Sequence, residues 1–152
     1  DVSSGWFYDT SLDGKTFVKT MGCEGWIPLW ANIATEEQAE KVKENMMTPE
    51  KFFGSVPFQT LSASDPNFKP ENGYWRGPVW LDQAYFGVRA LYNYGYKKEA
   101  QKATMRLIRN SEGLIEKGEP IRENYHPQTG KGMEAKNFSW SAAHVILLLI
   151  DK

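Results

Sequence analysis

Two clusters in this sequence have the residue types and spacing that chemistry needs. The first is Ile121-Arg122-Glu123-Asn124-Tyr125-His126-Pro127, followed by Gln128-Thr129-Gly130. A carboxylate among Arg, Asn, Tyr and His has neighbours that can hold it ionised and oriented, as a general base requires. That context lifts Glu123 above Glu112, Glu116, Glu119 and Glu134, which read as solvated loop positions. The competing reading is that Glu123 is itself an ordinary solvated glutamate. The second cluster, Tyr74-Trp75-Arg76-Gly77-Pro78-Val79-Trp80, gathers two indoles, a phenol and a guanidinium at a helix entrance. Sugars pair apolar C–H faces with hydroxyl groups, so aromatic rings beside a charged donor suit a saccharide. The competing reading is that these aromatics seal a core. Gly77 and Pro78 between them argue for a fixed backbone, while Asp82 reads as a carboxylate favouring the N-terminal end of a helix dipole.

Other chemistries find no support. The sequence has no Gly-rich phosphate loop, nucleophile elbow or zinc-type His and Cys spacing, so no cofactor is implied and nucleotide enzymes and metalloproteases drop out. His126 and His144 are too far apart and too weakly accompanied to form a metal site, and His144 reads as a satisfied core residue. Cys23 is alone, which excludes an intrachain disulfide and leaves the redox compartment open. The 152 residues carry 18 Lys plus Arg against 19 Asp plus Glu, a net charge of −1. That balance excludes a nonspecific nucleic-acid or anionic-membrane binder. The longest apolar run, Val145 to Ile150, is far shorter than the roughly 20 residues that span a bilayer. The aromatic load stands out, with 6 Trp, 7 Tyr and 8 Phe. Asp1 to Asp9 carries neither an initiator Met nor signal-peptide character, so the chain reads as a piece of a longer one. A mature secreted or bacterial periplasmic protein could start this way too, and localisation stays open.

Several helices must position these residues. Thr35-Glu36-Glu37-Gln38 has the form of a capping box, and Ala39, Val42 and Met46 form a stripe behind it, predicting a helix over 35–47 that Thr48-Pro49 ends. Pro78 is expected as the first residue of a second helix, apolar on most sides and closed by Gly95. Residues 97–110 predict an amphipathic outer helix, and 139–150 another apolar one. Residues 1–25 predict a loop or small hairpin, with Trp6, Tyr8, Phe17 and Val18 as strand candidates. An aromatic-rich loop leads into an apolar helix three times, at Gly25-Trp-Ile-Pro-Leu-Trp30, Gly73-Tyr-Trp-Arg-Gly-Pro-Val-Trp80 and Asn137-Phe-Ser-Trp140. The order is inner, outer, inner, outer, inner, so the expected architecture is all-α and layered. The long loops 49–77 and 111–138 each precede an inner helix and open at the same end.

Read together, Gly25-Trp-Ile-Pro-Leu-Trp30, Tyr74-Trp-Arg-Gly-Pro-Val-Trp-Leu-Asp-Gln83, Glu123-Asn-Tyr-His-Pro127 and Asn137-Phe-Ser-Trp-Ser-Ala142 resemble the C-terminal part of glycoside hydrolase family 63, which is related to the trehalases. The resemblance runs from about Gly5 to the end and rests on the strings occurring in this order. It implies an (α/α)6 barrel, of which about five helices are present here, with residues 1–152 forming the C-terminal portion of a catalytic domain. It also implies inverting hydrolysis of α-glucosidic bonds in oligosaccharides, where one carboxylic acid protonates the leaving oxygen and a carboxylate activates water on the opposite face. By motif position Glu123 is similar to the general base, and Trp75, Arg76, Trp80, Tyr125 and Trp140 line the glucose subsite. Trp26 joins them as a weaker candidate. The family's acid is an Asp that precedes the matched region, so it lies outside these residues and the isolated fragment is expected to be inactive. Its partners are then an oligosaccharide with α-linked glucose and the remainder of the catalytic domain. A non-catalytic saccharide-binding module is the alternative, and a helical scaffold whose aromatics are all core is the third reading.

Overall fold

Local sequence decides most of the elements in the computed structural model, which describes residues 1–115 and 118–151. Glu116, one of the glutamates read as solvated, lies outside the described residues. Strands β1 (Asp9–Thr10) and β2 (Phe17–Val18) form a small antiparallel hairpin, Thr10 opposite Phe17. Trp6 lies outside that hairpin and is buried in the core. A 3-10 turn over Cys23–Trp26 runs into α1 (Ile27–Trp30), with Pro28 in its first turn. Helix α2 (Glu36–Met46) has the capping box in full, Thr35 Oγ1 accepting from Gln38 N–H and Gln38 Oε1 accepting from Thr35 N–H. Ala39, Val42 and Met46 turn inward from it.

Helix α3 (Leu81–Asn93) is the hub and packs on α1, α4 (Lys97–Asn110) and α5 (Ser139–Ile150). It begins later than the expected Pro78. Val79 is extended and bridges to Tyr125, and Trp80 takes the N-cap position, so the backbone there is committed to a strand contact before the helix starts. The all-α expectation also needs correction. The loop over 111–138 contains a second hairpin, β3 (Arg122–Tyr125) antiparallel to β4 (Gly132–Lys136), hidden from a helix-period reading by its short, polar strands. The fold is helix-rich with two strand pairs among the described residues.

The core explains much of the aromatic load. Trp6 stacks on Phe52 with centroids 5.0 Å apart, and Trp26 meets Phe52 and Phe58 at 5.3 and 5.6 Å. These large rings bury together with Leu29, Val42, Met46 and Leu91. Burying each removes about 150–250 Å² from water. Two tyrosines tie the helices together from their outer edges: Tyr94 donates to the Ala34 carbonyl at 2.7 Å, and Tyr96 donates to Glu40 at 2.9 Å. Among the described residues, no helix is long and apolar enough to cross a membrane.

Candidate active site

The loop before α3 is shaped by Lys69. Its N–H donates to the Arg76 carbonyl at 2.6 Å, and its own carbonyl lies so close to Gly73 and Gly77 that a Cβ there would come within 1.9 and 2.7 Å of it. Gly77 also has φ +151°, which side chains rarely adopt. The backbone is thereby fixed in a fold that presents Tyr74 and Trp75 at its tip. Trp75 stacks on Trp80 at 4.9 Å and 21°, and Tyr74 meets both edge-on at 5.6 Å. The Trp80 indole N–H donates to the Tyr74 carbonyl at 3.2 Å. Trp140, at the start of α5, lies 5.8 Å from Trp80 and 6.0 Å from Phe138. A continuous aromatic shelf thus joins the entrances of α3 and α5. Trp75 and Trp140 remain 37% and 43% exposed, whereas Trp80 is the buried floor at 4%. Arg76 is exposed beside them and makes no ion pair among the described residues.

Glu123 reaches the same region from β3. Val79 and Tyr125 exchange both main-chain hydrogen bonds, which sets the Glu123 strand against the segment leading into Trp80. Glu123, Asn124 and Glu134 line an open cavity of about 250 Å³ together with Asn72, Tyr74 and Pro78. The two long loops therefore do open together. The hairpin register slips between Arg122 and Asn124, so Glu123 has no cross-strand Cα partner and lies opposite a β-bulge formed by Glu134 and Ala135. Glu134 has φ +59° there. The bulge lets the Ala135 N–H donate to the Glu123 carboxylate at 3.3 Å.

The side chains flanking Glu123 in sequence do something other than expected. None of Arg122, Asn124, Tyr125 or His126 hydrogen-bonds its carboxylate among the described residues. Arg122, Tyr125 and His126 are engaged elsewhere, and the buried Asn124 Oδ1 has no hydrogen-bond partner among the described residues. Arg122 donates through Nη2 to the Glu134 carbonyl at 2.7 Å. The Tyr125 hydroxyl accepts from Arg122 N–H at 3.1 Å, and burial pushes its pKa up. His126 Nδ1 accepts from the N–H groups of Gln128 and Thr129 at 3.2 and 3.3 Å, which closes the hairpin turn. Glu112, expected to be merely solvated, accepts from Gly132 N–H at 2.7 Å and braces β4. His144 sits against Tyr85 and Phe86 with Nδ1 on the Trp140 carbonyl at 2.9 Å.

Two expected sugar ligands are not brought to the shelf. Trp26 and Tyr125 are both 0% exposed, the first enclosed by core rings and the second between the hairpin and Val79. Neither offers a face to a saccharide in this chain. In turn, sequence reasoning passed over Ser141, which is buried and donates to the Glu123 main-chain carbonyl at 3.0 Å. The available signal was a polar residue in the first turn of an otherwise apolar helix. Among the described residues no group of three or more His, Cys, Asp or Glu could hold a metal ion.

Comparison with known proteins gives the family. A family model for the mannosylglycerate hydrolase MGH1-like glycoside hydrolase domain matches residues 1–141. The chain is similar to mannosylglycerate hydrolase MGH1 of Selaginella moellendorffii, 33% identical over 145 residues covering 94% of this chain and 28% of that protein. It is also similar to a mannosyl-oligosaccharide glucosidase of Saccharomyces cerevisiae, 32% identical over 123 residues covering 72% of this chain and 15% of that one. A crystal structure of the family 63 mannosylglycerate hydrolase from Thermus thermophilus with glucose superimposes with TM-score 0.79 at 25% identity, covering 98% of this chain and 36% of that one. The chain thus spans well under half the length of the relatives it matches.

Proposed function

We propose, since the chain belongs to the mannosylglycerate hydrolase MGH1-like glycoside hydrolases of family 63, that it forms the C-terminal portion of an (α/α)6 catalytic domain and supplies the general base for inverting hydrolysis of α-linked glycosides. Glu123 is the base, and Trp75, Trp140 and Arg76 form the wall that receives the sugar ring, with Trp80 packed beneath Trp75 as its floor. The reading is carried by one observation: Glu123 and Tyr74, at the tip of the aromatic loop, line the same cavity.

The step balances as follows. The Glu123 carboxylate takes a proton from a water molecule as its oxygen attacks the anomeric carbon, and the bond from that carbon to the leaving oxygen breaks on the opposite face. A carboxylic acid from the remainder of the domain gives its proton to the leaving oxygen. Inverting enzymes hold the two carboxyl groups about 6.5–9.5 Å apart to admit the water. The Ala135 N–H on the Glu123 carboxylate holds one of its oxygens in place for this role. The apolar rings stack on the C–H face of the sugar while Arg76 is placed to donate to its hydroxyls. The relatives' names place both glucosides and mannosylglycerate among the substrates to try.

The test uses the full-length protein and its Glu123→Gln variant with a panel of α-glucosides and α-mannosylglycerate, following anomeric proton signals. β-Sugar appearing first, and lost in the variant, is the expected result. Retention of the α-anomer would remove the inverting mechanism. Sugar binding without release from any substrate would favour a non-catalytic saccharide-binding module.

A further inference from the structure

Glu123 sits at the one place in its hairpin where the ladder is out of register, so cross-strand pairing alone does not define its backbone. What holds it comes from two other directions. Ala135 N–H reaches the carboxylate from β4, and Ser141 Oγ–H reaches the main-chain carbonyl at 3.0 Å from the first turn of α5. Just upstream the Phe138 N–H donates to the Ile121 carbonyl at 3.2 Å, so the start of α5 holds the chain both just before β3, at residue 121, and within it, at residue 123. Ser141 is only 3% exposed, and among the described residues its hydroxyl makes no other hydrogen bond that competes with the one to Glu123.

We propose that Ser141 is a positioning residue for the base: its hydroxyl fixes the peptide plane of Glu123 and so the line along which the carboxylate meets the attacking water. This rests on Glu123 being the base. A buried carbonyl that loses its donor rotates or admits water to recover a partner, and either response swings the Cα–Cβ bond that carries the carboxylate. Displacements of about 1 Å at a reacting group can cost on the order of 100-fold in rate. The same turn of α5 carries Trp140, so the hydroxyl also keeps the base in step with the sugar shelf.

The experiment compares Ser141→Ala and Ser141→Thr with the unaltered full-length protein, with Glu123→Gln alongside. Ser141→Ala is expected to lower kcat about 10-fold or more while KM changes less than about twofold, because binding lies with the rings and the defect lies with the base. Ser141→Thr, which keeps the hydroxyl, should recover most of kcat. Unchanged kcat in Ser141→Ala, or a loss that vanishes once the assay temperature is lowered to match its reduced Tm, would overturn the positioning role and leave the base intact. Normal turnover by Glu123→Gln would instead remove the base, and the role of Ser141 with it.

Discussion

Val79 and Tyr125 donate to each other's carbonyls, at 2.8 and 2.9 Å, and this two-bond bridge joins the strand bearing Glu123 to the residue before Trp80. Neither partner reaches solvent. The relation of Glu123 to the aromatic shelf is therefore set by main-chain geometry rather than by a flexible side-chain contact.

Val79→Pro removes one of those donors and forces a more acute φ, whereas Val79→Ala keeps the N–H and trims only methyl groups. The lost buried bond should cost about 1–3 kcal/mol, with a further cost from the changed φ. Hydrolysis by the full-length Val79→Pro protein should fall more than that of Val79→Ala when both are assayed well below their melting temperatures. Equal activities in the two variants would show that the bridge does not set the site.

Exposure separates tryptophans that sequence treats alike. Trp75 is partly exposed on the shelf, and its loss to Ala should weaken sugar-induced fluorescence changes with little shift in Tm. Trp26 is fully buried, so Trp26→Ala should cost about 3–5 kcal/mol. Whatever Trp26→Ala protein remains folded should bind sugar normally. A Trp26 variant with native Tm and lost binding would put that indole back in the subsite.

The same contrast shows what sequence makes legible. The capping box of α2, the amphipathic α4 and the range of α5 are local patterns of period and cap chemistry, and they read correctly from residues alone. The aromatic loop and Glu123 were recognisable by residue type and order. The β3–β4 hairpin escaped because its strands are short and mixed in polarity, and the Val79–Tyr125 bridge escaped because a nonlocal main-chain bond leaves no sequence pattern. Trp26 and Tyr125 were misplaced for a related reason: aromatic type does not distinguish a ring that faces a ligand from one that faces Phe52 or Val79.

Glu24 gives the fold a pH signature. Burial raises its pKa above the ordinary carboxylate value, against the opposing effect of its bond from Gly22 N–H at 3.0 Å. An acid whose folded pKa is raised binds its proton more tightly in the folded state, so its contribution is full below the unfolded pKa and is lost as pH rises through the folded one. Glu24→Gln is neutral at every pH and can still accept from Gly22. The Tm of this variant relative to the unaltered chain should therefore rise as pH climbs from below 4.5, the ordinary glutamate value, toward neutrality. A Tm difference that stays flat with pH would show that Glu24 is no more desolvated than an unfolded glutamate.

Among the described residues helix α5 carries an apolar face left largely uncovered: Ile146, Leu149 and Ile150 are all exposed on it. The helix is nonetheless well anchored, since Asp151 accepts from Tyr85 Oη at 2.5 Å and pairs with Arg89 at 3.2 Å. A fixed helix with an open apolar face attracts other apolar surface, because each Ile or Leu it covers is worth about 1.5–3 kcal/mol. If the remainder of the catalytic domain is the natural cover, charged residues on this face must act in opposite directions in the two settings. Ile146→Glu with Leu149→Glu should reduce self-association of the isolated chain in sedimentation velocity. The same pair of changes should lower the Tm of the full-length protein by several degrees, because the charges would then be buried without partners. A full-length protein whose Tm is untouched would show that the face stays in solvent, and the barrel would have to close elsewhere.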